Sequence, residues 1–297
     1  MCFSWGVPRE DKTMAQTSQA AISRRQFGRM AATLGAGAAL LPFVGGVARA
    51  ESKRGGRLRI GANGSNASES WDPATWGVSI IMGLGGFGCI YNNLVEIGSD
   101  GVLKPELAES YEAAPDAKTW TFKLRSGVTF SNGKTLTADD VVASINHHRG
   151  PDSKSSAKPI VEGIANIKSD GSNTVVVELS SGNADFAYLL SDYHLVIGPA
   201  DNGKVDWMAH IGTGGYTVAE YDVGNRLLLK RRDGYWKPNA AWFDEVEIIG
   251  IDDVAARMNA ASSTLADISA QSLRALSAGR SNPSSAAMTA SSRKKAA

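Results

Sequence analysis

Residues 103–146 constrain the fold more than any other segment, because their pattern predicts a fixed order of elements. The run Thr-Trp-Thr-Phe-Lys-Leu at 119–124 alternates apolar and polar residues, the period of a half-buried strand. Ser-Asn-Gly-Lys at 131–134 contains an Asn-Gly pair, which tolerates the positive φ of a turn. Thr137 and Asp140 have the spacing of a helix capping box. The predicted order is therefore strand, turn, strand, turn and capped helix.

This segment resembles the signature of the periplasmic solute-binding proteins of ABC transporters that carry peptides, nickel and related solutes. The similar blocks are Leu-Ala-Glu-Ser at 107–110, the strand end at 123–130 and the helix start at 136–141. A second block, residues 212–253, is similar to the family's glycine-threonine-glycine-proline-tyrosine turn and the strands after it, with Gly215 where proline is common. The resemblance implies an α/β fold: a type II periplasmic-binding-protein-like lobe with a mixed β-sheet and an attached smaller α+β subdomain.

The resemblance also implies a division of the chain. Residues 51–95 and 200–259 are expected to form ligand-binding lobe I, with residues 96–199 as the inserted subdomain. Motif similarity ends inside a predicted helix, and residues 260–297 are rich in Ala and Ser and lack aromatic residues. We expect these last residues to be a disordered tail unrelated to the family and the second ligand lobe to be missing. A frameshift at that boundary is the favoured explanation, and a natural disordered tail is the alternative.

The first fifty residues have the features of an export signal. A twin-arginine motif, Ser-Arg-Arg-Gln-Phe, precedes an uncharged run of Ala, Gly and Leu, and small residues follow at the positions that a signal peptidase reads. We therefore expect residues 1–50 to be removed after export by the twin-arginine translocase, which predicts a periplasmic location. Met14 is an alternative start, since it lies at a more usual distance from the motif. The residues on which this prediction depends are Arg24, Arg25, Ala48 and Ala50.

Composition argues against several classes of function. A formal net charge of +1 gives no basic field for nucleic acid. Cys89 is the only cysteine after the predicted cleavage site, which excludes an internal disulfide and a thiolate metal site. His147 and His148 are adjacent on a predicted helix and point about 100° apart, so we expect a solvated helix face. His194 and His210 have no carboxylate or cysteine neighbour at ligand spacing. The sequence therefore predicts no metal and no cofactor.

Two segments are candidates for the wall of a solute cleft. One is the small, polar loop after the first predicted strand, which in the family edges the ligand cleft, and the other is the glycine-rich turn of the second block. Asp252 and Asp253, at the start of a predicted helix, are expected to act as cap and dipole partner and not as an acid/base pair. The candidate ligand-binding residues are Asn63, Ser65, Asn66, Trp76, Thr213, Gly214 and Tyr216.

The resemblance implies capture of a peptide, of the oligopeptide or dipeptide class, or of a similar small solute, followed by delivery to the transmembrane subunits of an ABC permease. Because a solute would contact both lobes only when they are closed, its binding would shift the protein towards the closed state. No Ser-His-Asp, His-Glu-x-x-His or Gly-x-Ser-x-Gly arrangement is present, so no catalytic residue is assigned and no enzyme is expected. The alternatives are an exported hydrolase and a truncated fragment that binds nothing. Peptide, nickel, opine and sugar all remain open as solutes, and an exposed face between lobes would favour self-association.

Overall fold

The structure, a computed structural model, describes residues 54–77, 79–263 and 268–269. The export signal predicted at residues 1–50 lies outside these residues, as does the end of the predicted tail, residues 270–297.

The described residues form short helices and two main β-sheets. The strands are β1 (Arg57–Ala62), β2 (Val95–Ile97), β3 (Leu103–Pro105), β4 (Ala108–Ala113), β5 (Thr119–Leu124), β6 (Ile164–Ser169), β7 (Thr174–Leu179), β8 (Ala200–Asp201), β9 (Lys204–Val205), β10 (Tyr216–Asp222), β11 (Arg226–Arg231), β12 (Glu245–Gly250) and β13 (Ile268–Ser269). The α-helices are α1 (Ile80–Met82), α2 (Ala138–Asn146), α3 (Lys158–Val161), α4 (Phe186–Leu189) and α5 (Val254–Ser262). A π-helix (Gly83–Ile90) continues α1, and 3₁₀ turns occur at Pro73–Thr75 and Trp207–Ala209.

The first sheet is mixed, with the strand order β10-β11-β12-β1-β13. β1 runs parallel to β12 and to β13, whereas β10, β11 and β12 are antiparallel neighbours. The sheet buries its apolar residues under the segment that contains the π-helix, so that one core forms on this face. The core includes Ile60, Trp71, Trp76, Ile81, Tyr91, Leu227, Leu229, Val246 and Ile248. The α/β class and the mixed sheet expected from the sequence are confirmed.

The second sheet is antiparallel, with the order β4-β5-β7-β6. The alternation predicted at 119–124 is confirmed, because the apolar side chains of β5 are buried with those of α2 in a second core. The capping box is also present: Asp140 Oδ2 accepts the Thr137 backbone N–H at 2.8 Å. The strand predicted after β5 is wrong, since only one bridge, Thr129 with Thr135, forms there. The pairing cannot extend away from the turn at 131–134, because Gly127, at φ 77°, turns the chain on one side and α2 begins at Ala138 on the other.

Buried polar groups join the two sheets. Asn92 donates to Glu106 Oε1 at 2.6 Å, and its own Oδ1 accepts the Thr213 hydroxyl at 2.9 Å. Lys237 Nζ forms ion pairs with Glu106 and, at 2.9 Å, with Glu96. These bonds link the β2–β3 side of the second core to the segment between β11 and β12. They also provide the partners that a charged pair needs when it is buried between the two cores.

Part of the segment expected to be a disordered tail belongs to the fold. Residues 260–262 complete α5, where Ala260 is buried, and β13 pairs in parallel with β1 through Ile60 and Ile268. The expectation of disorder is therefore wrong for these residues. The physical reason is that β13 pairs with the backbone groups of β1 that would otherwise face an open sheet edge.

Candidate functional site

The carboxyl ends of β1 and β12 lie side by side because the two strands are parallel, with Ala62 opposite Gly250. In open α/β sheets this end of the strands is where ligands bind. We call residues 62–66 and 250–253, which follow the two strands, the loop edge. Its two segments are joined by the N–H of Gly64, which donates to Asp252 Oδ1 at 2.9 Å, and by the N–H of Ile251, which donates to the Ala62 carbonyl at 2.6 Å.

Three of the candidate ligand-binding residues lie at the loop edge. Asn63 and Ser65 are half-buried and Asn66 is exposed. The Ser65 side chain lies directly against Gly250, because a Cβ on Gly250 would lie 2.4 Å from Ser65 Oγ. Asn66 Oδ1 accepts the N–H of Ser68 at 2.9 Å, a side-chain turn that fixes the loop backbone. The loop edge thus presents neutral polar side chains on a defined backbone.

Glu69 ties this loop to its surroundings. Its carboxylate accepts the N–H of Gly224 at 3.1 Å, the Tyr221 hydroxyl at 3.2 Å and the Ser79 hydroxyl. Burial, together with the neighbouring Glu69 carboxylate, raises the pKa of Tyr221, so the phenol keeps its proton and remains a donor. The sequence offered no signal for this role, because Tyr221 and Gly224 are far from Glu69 in the chain.

The glycine-rich turn lies at the other end of the strands of the first sheet, next to the start of β12. Tyr216 pairs with Arg231, and the neighbouring Lys230 pairs with Glu245, the first residue of β12. β12 therefore separates this turn from the loop edge. The structure does not bring the two predicted segments of the cleft wall together.

The glycine-rich turn contacts the protein's own backbone. Thr213 is fully buried, and a Cβ on Gly214 would lie 2.2 Å from the Cys89 carbonyl oxygen. The Tyr216 hydroxyl donates to the Phe243 carbonyl at 3.1 Å. These contacts hold the end of the π-helix against the first sheet, which is a packing role.

Trp76 lies in the first core and not on the surface of the loop edge. Its side chain is 2% exposed, and its Nε1 donates to the Ser70 carbonyl at 3.0 Å. A Cβ on Gly86 would lie 2.4 Å from the ring, so the π-helix packs directly on the indole. Trp76 therefore supports the loop from the core side.

Arg257 is a residue of this edge that sequence reasoning missed. It is 4% exposed, and its Nη1 donates to the carbonyls of Ile251 at 2.5 Å and Asp252 at 2.7 Å. Asp253 caps α5, as expected, by accepting the N–H of Ala256 at 2.7 Å. The sequence signal that could have identified Arg257 was a cationic residue near the start of an Ala-rich helix. Asp252 and Asp253 are thus both engaged with backbone amides, which does not suit an acid/base pair.

The histidines differ from expectation. His147 is half-buried with Nε2 2.6 Å from Asp72 Oδ1, whereas His148 is fully buried with Nδ1 2.7 Å from Ser155 Oγ. The solvated helix face is therefore wrong for His148, because α2 packs that side against residues 153–157. Burial raises the pKa of Asp72, but the hydrogen bonds from His147 and from the Ala74 N–H, together with the proximity of His147 and His148, outweigh this and leave the pKa below its usual value.

His194 has a carboxylate neighbour after all. Its Nδ1 lies 2.6 Å from Asp192 Oδ1 and its Nε2 lies 2.6 Å from the Trp76 carbonyl oxygen. Within the residues that the structure describes, no group of three or more His, Cys, Asp or Glu side chains has the arrangement of a metal site. In the same part of the chain, none of the helices has the length and apolar character needed to cross a membrane.

Comparison with known families gives the class of the protein. The sequence profile described as "Bacterial extracellular solute-binding proteins, family 5 Middle" matches residues 102–288. Because this match spans more than half of the chain, the protein belongs to the family 5 solute-binding proteins. The match continues through residue 288 and so includes residues that we expected to be unrelated to the family.

Individual relatives agree with this class. The dipeptide-binding protein of Escherichia coli (strain K12) is 34% identical over 175 residues, covering 50% of this chain and 32% of its own length. The glutathione-binding protein GsiB of the same strain is 28% identical over 160 residues, covering 52% of this chain and 31% of its own length. The structure is similar to that of the PBP AgaA of A. tumefaciens R10 in complex with agropinic acid, with 31% identity, a TM-score of 0.60, and coverage of 70% of this chain and 42% of the other. The chain thus spans about a third of the length of these curated relatives.

Proposed function

We propose that the chain is the solute-binding component of an ABC transporter for peptides, of the oligopeptide or dipeptide class. It would capture its solute in the periplasm and deliver it to the transmembrane subunits of a permease. The observation that carries this proposal is the loop edge, which places polar side chains and a fixed backbone at the carboxyl ends of two parallel strands in a family 5 lobe.

The chemistry of the loop edge supports a peptide-like solute. Asn63, Ser65 and Asn66 are neutral donors and acceptors, which suit hydrogen bonds to amide groups. Two relatives are named for a dipeptide and for glutathione, which are both peptides. A peptide can be held through its backbone while its side chains remain in hydrated pockets. This is the reason for preferring a peptide over nickel, an opine or a sugar.

The export route and the domain organisation of the chain are part of the same proposal. Export by the twin-arginine translocase, with Arg24 and Arg25 read as the signal, would place the mature chain in the periplasm. Lobe I would comprise residues 51–95 and 200–259, with residues 96–199 as the subdomain, and the two separate cores support this division. The relatives are named as binding proteins, which supports a role other than catalysis.

A thermal-shift screen of the purified chain tests this function. Any solute that binds the folded state raises the Tm by mass action. We expect a concentration-dependent rise with a mixture of di- to pentapeptides, and none with nickel, an opine or a sugar. A rise with one of the other solutes alone would replace the peptide class. No rise with any solute, from a chain that is folded by circular dichroism, would favour the alternative that this chain does not bind solute.

A further inference from the structure

Three of the chain's four histidines meet where the turn at Asp72–Trp76 contacts the second core. The turn comes from the segment that follows the loop edge. His147 and His148 lie just after α2, and His194 follows α4. We call this group, with Asp72 and Asp192, the histidine cluster; its members are Asp72, His147, His148, Asp192 and His194.

The cluster holds the turn at both ends. At the start of the turn, His147 Nε2 lies 2.6 Å from Asp72 Oδ1. At its end, His194 Nε2 lies 2.6 Å from the Trp76 carbonyl oxygen. Between them, the N–H of Ser156 donates to the Ala74 carbonyl at 3.1 Å. Because Trp76 belongs to the same core as Ala62, the first residue of the loop edge, the cluster connects the second core to the core beneath that edge.

His148 lies at the centre of the cluster and is fully buried. Its Nδ1 is bonded to the Ser155 hydroxyl, and its Nε2 has no hydrogen-bond partner in the described residues. A second proton would therefore add an uncompensated charge. The charged or titratable groups that face it are His147, His194, Asp72 and Asp192.

The two carboxylates are already engaged by the other two histidines, so they are not free to neutralise a charge on His148. Burial, followed by the proximity of His147 and His194, lowers the pKa of His148 to about 4 from its ordinary value of 6.5. A form in which His148 reaches water takes up the proton at a higher pH than the closed form. Falling pH therefore favours the open form between about 6.5 and 4.

We propose that the histidine cluster is an acid-operated latch, which ties the Asp72–Trp76 turn to the second core while His148 is neutral and releases the turn when His148 is protonated. This inference does not depend on the identity of the solute. Release would loosen the packing of Trp76 in the core that it shares with Ala62, so, on the proposed function of the loop edge, the protein would hold its solute less firmly in acid.

Hydrogen exchange of the full chain at pH 7 and pH 5 tests the latch. With a pKa of about 4 in the closed form and 6.5 in the open form, the open population rises roughly twentyfold between these pH values. After correction for intrinsic exchange rates, we expect peptides that cover residues 70–77 to exchange faster by about that factor, while peptides from β5 and β7 keep their protection. His148→Asn, which retains a donor near Nδ1 but does not titrate, should abolish the difference. His210→Asn, outside the cluster, should leave it in place.

Three results would overturn the latch: an equal gain of exchange in β5 and β7, no gain in residues 70–77, or an unchanged gain in His148→Asn. If His148→Asn fails to fold, the wild-type protein still decides the matter by NMR. The Cε1–H resonance of His148 should titrate well below those of exposed histidines, together with a change in the Trp76 indole resonance. Titration of His148 near its ordinary pKa, or without any change at Trp76, would contradict the proposal.

Discussion

Lys237→Met removes the cation from the buried junction between the two cores and gives a large, pH-dependent loss of stability. Lys237 Nζ is paired with Glu106, whose side chain is 4% exposed, and with Glu96, whose side chain is 44% exposed. Without the lysine, Glu106 would be a buried carboxylate beside a second carboxylate. Removing one partner of a buried pair costs about 3–5 kcal/mol.

The pH dependence follows from Glu106. Burial, followed by the hydrogen bond with Glu96, raises its pKa to about 7 from a usual value of 4.5. Folded Glu106 therefore holds a proton that the unfolded chain has lost between these pH values, and stability falls as pH rises through this window. A shift of that size corresponds to about 3 kcal/mol. In Lys237→Met the pKa of Glu106 rises further. We therefore expect the free energy of unfolding to fall by about 3 kcal/mol at pH 8 and by about 1 kcal/mol at pH 5.5.

Urea denaturation followed by tryptophan fluorescence at pH 8 and pH 5.5 measures both quantities. Lys168→Met is the matched control, since Lys168 is 56% exposed and pairs with an exposed Glu178 outside the junction. Exposed pairs of this kind contribute about 0–1 kcal/mol, so the control should lose little at either pH. A loss below about 1 kcal/mol at pH 8 for Lys237→Met, or a loss that does not depend on pH, would refute the assignment of this junction as a buried ion pair.

Two further substitutions test the packing of the glycine-rich turn and the cap of α5. Gly214→Ala places a Cβ 2.2 Å from the Cys89 carbonyl oxygen and should lower the free energy of unfolding by about 1–3 kcal/mol. In the same chemical denaturation, Gly163→Ala, whose Cβ would have no atom within 4 Å, should be neutral or slightly stabilising. Equal effects of the two substitutions would show that the turn is not tightly packed. Asp253→Ala removes the acceptor of the Ala256 N–H and should cost about 1 kcal/mol, while Asp253→Asn retains most of that cap; an equal loss in both would contradict a capping role.

Local patterns in the sequence predicted local structure well. The alternation at 119–124 and the Thr137–Asp140 capping box depend on neighbours within a few residues, and both are present in β5 and α2. The mixed sheet followed from the resemblance to the family. The strand expected after β5 was wrong because Gly127 turns the chain on one side of the single bridge and α2 begins on the other, which hydrophobic alternation does not reveal.

Long-range pairing set the features that the sequence could not predict. The separation of Asn66 from Tyr216 depends on the antiparallel register of β10, β11 and β12, which no local signal specifies. The burial of His148 depends on how α2 packs against residues 153–157, and the pairing of β13 depends on the open edge of β1. Each is a tertiary contact between segments whose own composition is unremarkable.

The central claim is that this chain binds a peptide at the loop edge, and isothermal titration with the peptide that gives the largest thermal shift tests it most directly. Asn66→Ala and Asn132→Ala remove the same kind of side-chain turn, since each Oδ1 accepts an N–H two residues on, but only Asn66 belongs to the loop edge. We predict saturable binding that is weakened about tenfold or more by Asn66→Ala, about 1.4 kcal/mol, and unchanged by Asn132→Ala. Absence of binding by the folded chain, or equal affinities in the two variants, would contradict the account.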